Sequence, residues 1–472
     1  MKKLFLLGFL VVLLLAVSGG NVSAYQHETA QAAVETAAEG HSVHSVPPVY
    51  MVAPFLLLLA MIATGPLFYA HFWEKHYSKV AIALGVLVVV YYMAIMNDFV
   101  ILQHTLTEYI SFIALLGSLF IASGGILIRV DKKATPLLNA AILFFGAIIA
   151  NIIGTTGASM LLIRPFMNLN KGRLKPYHII FFIFVVSNIG GALTPIGDPP
   201  LFLGFLRGIN FFWFLEHGWY IWLPTVLLVI AIFFVIDLRN KEAGENENYT
   251  GRIEFKGLKN VGFLVIVLVS VFLDPGVMSW VPSLAPLPFG IREIIMAAVM
   301  FTSYRMADRH ILEANEFTFG PIKEVAYLFI GIFATMIPAL QLISFEAAKL
   351  KEGVTPGLLF WSSGGLSSIL DNAPTFLNFL SAEMGRFALD VNNKVDVYNL
   401  ANAHPIYLQA ISIACVFFGA NTYIGNGPNF MVKSIAESSG LKMPSFFGYI
   451  VKYSLPILIP VFFIIWLVFF RG

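Results

Sequence analysis

Twelve long apolar runs, separated by short charged loops, constrain this chain more than any other feature. A helix needs roughly 20 mostly apolar residues to cross the hydrocarbon core of a bilayer. Charged residues make up 12% of the chain, against about 25% in soluble domains, and they are concentrated between the runs. We therefore expect an all-α polytopic membrane protein and not a soluble enzyme. The runs lie near residues 50–70, 80–96, 109–128, 137–163, 177–206, 219–236, 261–273, 289–304, 324–345, 356–380, 404–432 and 446–470.

The amino-terminal segment has the pattern of a secretory signal peptide. Lys2 and Lys3 precede an apolar run at 4–17, and a small-residue cleavage pattern follows at 22–24. We expect residues 1–24 to be a signal peptide, and the alternative is an uncleaved first anchor helix.

The next segment, residues 25–48, is polar and has no hydrophobic periodicity, so we expect a flexible tail outside the cytoplasm. Its histidines, His27, His41 and His44, lack the fixed spacing and carboxylate partner typical of a metal site.

Basic residues are distributed unequally between the two sides of the predicted membrane. Loops assigned to the cytoplasm hold 19 Lys and Arg residues, and outer segments hold 6, which is the bias that orients inner-membrane proteins. We expect a multi-pass inner-membrane protein with its amino-terminal tail extracytoplasmic. Asp98, His104 and Glu108 then fall in an outer loop, where we expect them to be solvated. His178 and Glu324 fall at membrane edges.

Charge and cysteine content exclude several functional classes. The net charge of +2 is too small to indicate a nucleic-acid partner. Cys415 is the single cysteine and lies in an apolar run, so neither a disulfide framework nor a cysteine-based metal site is possible. We expect no cofactor.

One apolar run, 137–163, has basic loops on both sides, so both of its ends should face the cytoplasm. Its 27 residues are too few for two full spans. We therefore expect a re-entrant hairpin whose tip includes Asn151, Thr155 and Thr156. The alternative is one long tilted helix with a glycine-rich packing face.

A second run, 356–380, has the same character with the opposite orientation. Its centre contains Ser367 and Ser368, followed by Asp371 and Asn372. A proline two residues later removes a backbone donor and favours a break in the helix. We expect a second hairpin with both ends facing outward.

The strongest internal signal is a repeated decapeptide. Residues 191–200 read GALTPIGDPP and residues 419–428 read GANTYIGNGP, so six of ten positions match without a gap. Glycine and proline at this density cannot continue a helix. Each decapeptide lies in an apolar run just after a predicted hairpin, which indicates a discontinuous helix in each half. The alternative is a chance similarity between two glycine- and proline-rich loops.

These features divide the chain into two inverted repeats, each with a re-entrant hairpin and a discontinuous helix. We assign the first repeat to residues 49–236, a cytoplasmic linker to 237–260 and the second repeat to 261–472.

Unwound peptide at matching places in two halves is the best sequence indication of a transporter binding site. Neutral oxygens suited to a hard cation such as sodium are abundant there. We expect them to come from Asn188, Thr194, Asn372, Asn421, Thr422 and Asn426, supported by the hairpin tips.

Two carboxylates lie in these segments, Asp198 and Asp371. An ionisable group at this depth costs at least ~2.5–3.5 kcal/mol, so it is normally retained for function. A carboxylate that holds either a proton or a sodium ion would exchange the two directly. The alternative for Asp198 is that it caps the helix that starts at Pro199.

The string SNIGGALTPIGDPP at 187–200 resembles the signature of the ion transporter superfamily, and LDNAP at 370–374 resembles its second hairpin motif. The resemblance is closest to NhaD-type sodium/proton antiporters, which are related to arsenite efflux pumps and sodium/dicarboxylate transporters, and it covers most of residues 50–470. It implies a scaffold-plus-transport-domain fold, homodimers and sodium/proton exchange. Many such antiporters carry an acidic Asp-Asn pair in the first hairpin, whereas this chain has Thr155 and Thr156.

The sequence thus predicts exchange of sodium or lithium for protons by alternating access. Inorganic cations, the lipid bilayer and a second copy of the chain are the expected partners. Two alternatives stay open, a sodium-coupled symporter of citrate or dicarboxylates and a membrane protein that transports nothing.

Overall fold

The computed structural model describes residues 47–242, 250–349 and 353–471. The predicted signal peptide and nearly all of the predicted tail lie outside these residues. Within them, seven helices are long and apolar enough to cross a membrane, or eight if one bent pair counts as a single span. An all-α polytopic membrane protein is confirmed. The predicted runs outnumber the continuous helices because several runs are broken in the middle.

Seventeen helices and two short strands make up the described chain. The helices of the first half are α1 Ala53–Phe68, α2 Ala70–Tyr91, α3 Phe99–Gly124, α4 Pro136–Leu169, α5 Pro176–Val185, α6 Pro199–Leu206 and α7 Trp213–Leu238. Those of the second half are α8 Leu258–Ser270, α9 Ile291–Met306, α10 Arg309–Ala314, α11 Gly320–Ala347, α12 Pro356–Ser367, α13 Asn372–Arg386, α14 Lys394–Ala403, α15 Pro405–Phe418, α16 Gly427–Ser438 and α17 Phe446–Phe470. The strands are β1 Leu127–Val130 and β2 Ile253–Lys256.

Helix α4 is a hairpin rather than a straight helix. Its backbone leaves helical geometry at Gly154, whose φ of 79° lies in the left-handed region that favours glycine. The side chains of Asn139 and Asn170, near its two ends, exchange hydrogen bonds of 2.8 and 2.9 Å. A straight helix would separate residues 31 positions apart by about 46 Å. The predicted first hairpin is therefore present, and the long tilted helix is wrong.

The second predicted hairpin consists of α12 and α13, which are joined by a non-helical break at residues 368–371. Helix α13 packs along α11, where Ser381 donates to the carbonyl oxygen of Leu340 at 2.8 Å. A Cβ added at Gly385 would lie 2.1 Å from the carbonyl oxygen of Ser344. The small residues of α13 thus allow its backbone to approach α11 closely.

Both predicted discontinuous helices are present. In the first, α5 ends at Val185, and a single 3₁₀ turn at Ile189–Gly191 leads through non-helical peptide to α6. In the second, α15 ends at Phe418 and a 3₁₀ turn at Gly419–Asn421 leads to α16. We call the connecting peptides, residues 191–198 and 419–426, the first and second unwound segments.

The region predicted as a plain cytoplasmic linker contains a structural element. Strand β2 pairs antiparallel with β1, which follows α3, so this part of the linker is tied to the first half. The Asp131 amide donates to the carbonyl oxygen of Arg252 at 2.9 Å, which extends the pairing by one position, and the Asp131 carboxylate accepts from the backbone and hydroxyl of Thr250.

One sequence-based prediction about a charged residue is wrong. Glu108 was expected in a solvated outer loop, but it lies inside α3 and is 5% exposed. It forms an ion pair with Arg207, which follows α6 and is also buried. A buried charge is tolerated when it is paired, and this partner is 99 positions away along the chain.

Asp98 caps α3 by accepting from Ile101 at 3.1 Å.

His178, which was expected at a membrane edge, lies in the first turn of α5 and is fully buried within the protein. Its Nε2 lies 3.1 Å from Asp237, which also accepts hydrogen bonds from Asn139, Arg173 and Tyr177. This cluster joins the base of the first hairpin to α7, and its satisfied hydrogen bonds explain why these polar groups are buried.

Candidate functional site

The Asp198 carboxylate lies at the point where four separate elements meet. It is 1% exposed. Its Oδ1 accepts from the Thr155 hydroxyl at 2.7 Å and from the Asn426 amide at 3.1 Å. Its Oδ2 accepts from the Asn372 amide. The first hairpin, the second hairpin and the second unwound segment thus each send one donor to a carboxylate on the first unwound segment. We call these four residues the Asp198 cluster.

Asp198 occupies the N-cap position of α6, but its side chain does not cap that helix. The first two helical residues are Pro199 and Pro200, which have no N–H to donate. The carboxylate is therefore free to bond to other elements. The alternative that Asp198 serves as a helix cap is wrong.

Threonines in the two unwound segments make equivalent contacts with the two hairpins. The Thr194 hydroxyl donates to the carbonyl oxygen of Asn151 at 2.5 Å. The Thr422 hydroxyl donates to the carbonyl oxygen of Ser368 at 2.6 Å. Each predicted hairpin tip is thus attached to the unwound segment of its own half. These threonines support the site, since their hydroxyl protons are already committed to carbonyl groups.

Asparagines just outside the two unwound segments connect the peptide before the first segment to the second segment. Asn188 donates to the side-chain oxygen of Asn429 at 2.6 Å. Asn429 in turn donates to the carbonyl oxygens of Gly419 and Thr422, both at 2.8 Å. Asn429 directly follows the second decapeptide, and its side chain holds the second unwound segment in place.

Three side-chain amide oxygens of predicted site residues are buried and accept no hydrogen bond from any described group. They are the Oδ1 atoms of Asn188, Asn372 and Asn421. A buried oxygen without a donor is costly, so it usually has a partner that the protein itself does not supply. Neutral and carboxylate oxygens together are the ligands that hard cations such as sodium prefer.

Asp371, the second predicted carboxylate, lies in a different environment. It is half-buried at the N-cap of α13, and its Oδ1 accepts from the Ala373 amide at 3.0 Å. Its neighbour Asn372 reaches Asp198, whereas the Asp371 carboxylate bonds to its own helix. The structure therefore gives Asp371 a capping role in addition to any role in binding.

The remaining hairpin-tip predictions have mixed outcomes. Ser367 donates to the carbonyl oxygen of Cys415 at 2.6 Å, and Ser368 accepts from the Asn421 amide at 2.9 Å. Thr155 belongs to the Asp198 cluster, but Thr156 is only half-buried. Asn151 has a larger role than predicted, because its side-chain oxygen also accepts from the Leu193 amide at 2.9 Å.

The electrostatics of the Asp198 cluster are unusual for a buried anion. None of the described hydrogen-bond partners of Asp198 is Lys, Arg or His. Three helices of eight residues or more begin near the Asp198 side chain. Helix α6 begins directly after Asp198, α13 begins at its donor Asn372, and α16 begins directly after its donor Asn426. The positive ends of these helix dipoles therefore lie close to the carboxylate and partly offset its charge.

Comparison with known proteins gives a family. Residues 44–470 match the model of the family CitMHS_2, described as putative citrate transport. The chain is also 23% identical over 414 residues to two Mycobacterium tuberculosis proteins, the uncharacterized transporter MT2759 of strain CDC 1551 / Oshkosh and the uncharacterized transporter Rv2685 of strain ATCC 25618 / H37Rv. Each match covers 82% of this chain and 85% of the relative. The narrower resemblance to NhaD-type antiporters stays a prediction. Because the family model spans nearly the whole described chain, this membrane protein belongs to the CitMHS_2 family of transporters.

Proposed function

We propose that this transporter exchanges sodium or lithium for protons by alternating access, with the Asp198 carboxylate as the exchanging group. One observation carries the proposal: a fully buried carboxylate whose described hydrogen-bond donors are all uncharged. This part of the site contains no basic side chain that would hold the carboxylate permanently ionised.

The physical reason is the cost of an unpaired buried charge. Moving a carboxylate out of water is expensive unless a cation or a proton compensates it. Asp198 is therefore most stable either protonated or bound to a cation, and the two forms exclude each other. Competition for a single carboxylate couples the outward movement of one ion to the inward movement of the other.

The unpaired amide oxygens of Asn188, Asn372 and Asn421 favour a cation as the second occupant. An ion that leaves water needs several oxygen ligands to replace its hydration shell. Asn372 can contact both the carboxylate and a cation, because its nitrogen bonds to Asp198 while its oxygen has no hydrogen-bond donor.

A second candidate, cation-coupled uptake of citrate, is favoured by the description of the family. The three helix N-termini around Asp198 would also attract a carboxylate ligand. Against this candidate, Asp198 itself supplies a negative charge to the site and no arginine or lysine among its described partners offsets it. An anionic substrate would meet that charge directly.

Proteoliposomes containing the purified full-length protein and an internal pH indicator would test both candidates. Sodium or lithium, added without any organic solute, should move protons, whereas potassium should not. Asp198→Asn should abolish this signal. Glu313→Gln, which changes an exposed carboxylate on α10, is the matched control and should leave the signal unchanged.

Labelled citrate should not accumulate in the same vesicles in response to a sodium gradient. Uptake of citrate, together with no sodium-dependent proton movement in its absence, would favour the second candidate and contradict the first.

A further inference from the structure

A two-stranded sheet at one end of the molecule has no part in the proposed site. It consists of β1 and β2, and we call it the clasp. Only two residues separate β1 from the end of α3, and only Gly257 separates β2 from the start of α8. Helix α3 is long and apolar enough to cross a membrane. The clasp therefore lies at the membrane surface, within a few residues of two apolar helix ends.

The clasp is fixed tightly to the helix ends that carry it. Gly257 has a φ of 79°, and a Cβ added there would lie 2.0 Å from the carbonyl oxygen of Gly125. The Asn260 amide donates to the carbonyl oxygen of Ala122 at 3.0 Å. The Asn315 amide donates to two further carbonyl oxygens in the same turn, both at 2.8 Å. The sheet therefore has a defined orientation relative to α3.

The two faces of the clasp differ in polarity. Ile128 is paired with Phe255 and Val130 with Ile253, and paired residues lie on the same face of an antiparallel sheet. That face is wholly apolar, yet Phe255 is 40% and Ile253 43% exposed.

The opposite face has a different composition. It carries Arg129, Glu254 and Lys256 together with Leu127, which is buried against the protein. The apolar face is covered by the protein on its β1 side, where Ile128 packs against the core, and is open on its β2 side, at Phe255 and Ile253.

Charge around the clasp is strongly positive. Residues 127–133 and 250–259 contain six basic and two acidic residues. One of the acidic residues, Asp131, is engaged by Thr250. Basic residues at a membrane surface attract anionic lipid headgroups. A protein partner would not need the apolar patch to lie directly beside two membrane-entering helices, whereas a lipid surface does.

We propose that the clasp is an interfacial anchor for anionic lipid. The open part of its apolar face enters the boundary between headgroups and acyl chains, and the basic residues that flank the strands, Lys132, Lys133 and Arg252, contact the lipid phosphates. β1 follows a helix of the first half and β2 precedes the second half, so one lipid contact would hold both halves at the same membrane surface.

Spin labels on the full-length protein in lipid nanodiscs would test this proposal. In a Cys415→Ser background, Phe255→Cys and Ile253→Cys place labels on the apolar face, and Glu254→Cys is the matched control on the opposite face. In nanodiscs containing phosphatidylglycerol, labels at 255 and 253 should be relaxed by oxygen and shielded from a water-soluble nickel chelate. The label at 254 should show the reverse. Equal exposure to nickel on both faces, or shielding of 255 and 253 from both agents by protein, would overturn the proposal.

The charge requirement has its own test. Replacing phosphatidylglycerol by phosphatidylcholine, or combining Lys132→Gln with Lys133→Gln, should increase nickel access to the label at 255. Nickel access that is unchanged in both cases would show that anionic lipid is not recognised and would overturn that part of the proposal.

Discussion

The two unwound segments have the same internal structure and different charge. In each, a threonine hydroxyl both donates to a hairpin carbonyl and accepts from a glycine amide three residues later, at 3.1 Å in the first segment and 3.0 Å in the second. In each, close backbone contact excludes a side chain, because a Cβ on Gly197 or Gly425 would lie 2.1 or 2.7 Å from a carbonyl oxygen. The next position is Asp198 in the first segment and Asn426 in the second.

This difference in charge separates two tasks, holding the carboxylate and solvating it. The shared threonines and glycines hold peptide in a non-helical shape in both halves. Only the first segment carries a carboxylate, and the second supplies an amide that donates to it at 3.1 Å. One segment therefore holds the charge and the other helps to solvate it.

Exchanging the two side chains should give the largest effect. Asp198→Asn should abolish sodium-dependent proton movement, because the cluster loses its only carboxylate. Adding Asn426→Asp to that variant should restore part of the proton movement. The side chains at 198 and 426 touch, so the carboxylate would stay in the same cluster. Proton movement in proteoliposomes is the measurement. Full activity of Asp198→Asn alone would show that the charge difference has no functional meaning.

Removing a donor from the Asp198 cluster should have the next largest effect. Asn372→Ala deletes a hydrogen bond to a carboxylate, worth about 1.5–3 kcal/mol, together with one unpaired oxygen. The sodium concentration for half-maximal exchange should rise by roughly 10- to 100-fold. Asn378→Ala in the same helix is the control, because that amide donates to the carbonyl oxygen of Pro374. Equal effects of the two variants would mean that the donor to Asp198 has no special role.

A substitution of Asp371 tests whether Asp198 is the only carboxylate that exchanges ions. From the sequence, Asp371→Asn is expected to abolish exchange. Because its carboxylate accepts from Ala373 and asparagine caps helices about as well as aspartate, we now expect exchange to continue at a reduced rate. Complete loss in vesicles that contain normally inserted protein would restore Asp371 as a second exchanging group.

The threonines should give the smallest effect, equal in the two halves. Thr194→Val and Thr422→Val each remove a hydroxyl that donates to a hairpin carbonyl and accepts from a glycine amide. Each should lower the free energy of unfolding by about 1–3 kcal/mol, because buried groups are left without a partner. Thermal denaturation of the purified protein measures this loss. A much larger effect for one threonine than for the other would contradict the structural equivalence of the two segments.

Local chemistry explains what could be predicted from the sequence. Glycine and proline break helices wherever they occur at high density, so the breaks at both decapeptides and at Gly154 followed directly from the residues. The presence of Asp198 within a break was equally evident. Its role as a cap was a reasonable alternative, and the prolines at 199 and 200 explain why the carboxylate is directed elsewhere.

Long-range pairing explains what could not be predicted. Glu108 lies in α3 and Arg207 directly follows α6, and nothing near either residue identifies the other as its partner. The same holds for Asp237, whose donors include Asn139 and Arg173. The strand pairing of the clasp was also missed, because four-residue strands next to membrane helices leave little periodic signal.

The central claim is that a cation and a proton compete for Asp198. Purified protein in weakly buffered detergent solution should release protons when sodium is added, and Asp198→Asn should release none. Proton release that persists in Asp198→Asn, or that is absent from the unmodified protein until citrate is supplied, would contradict the account.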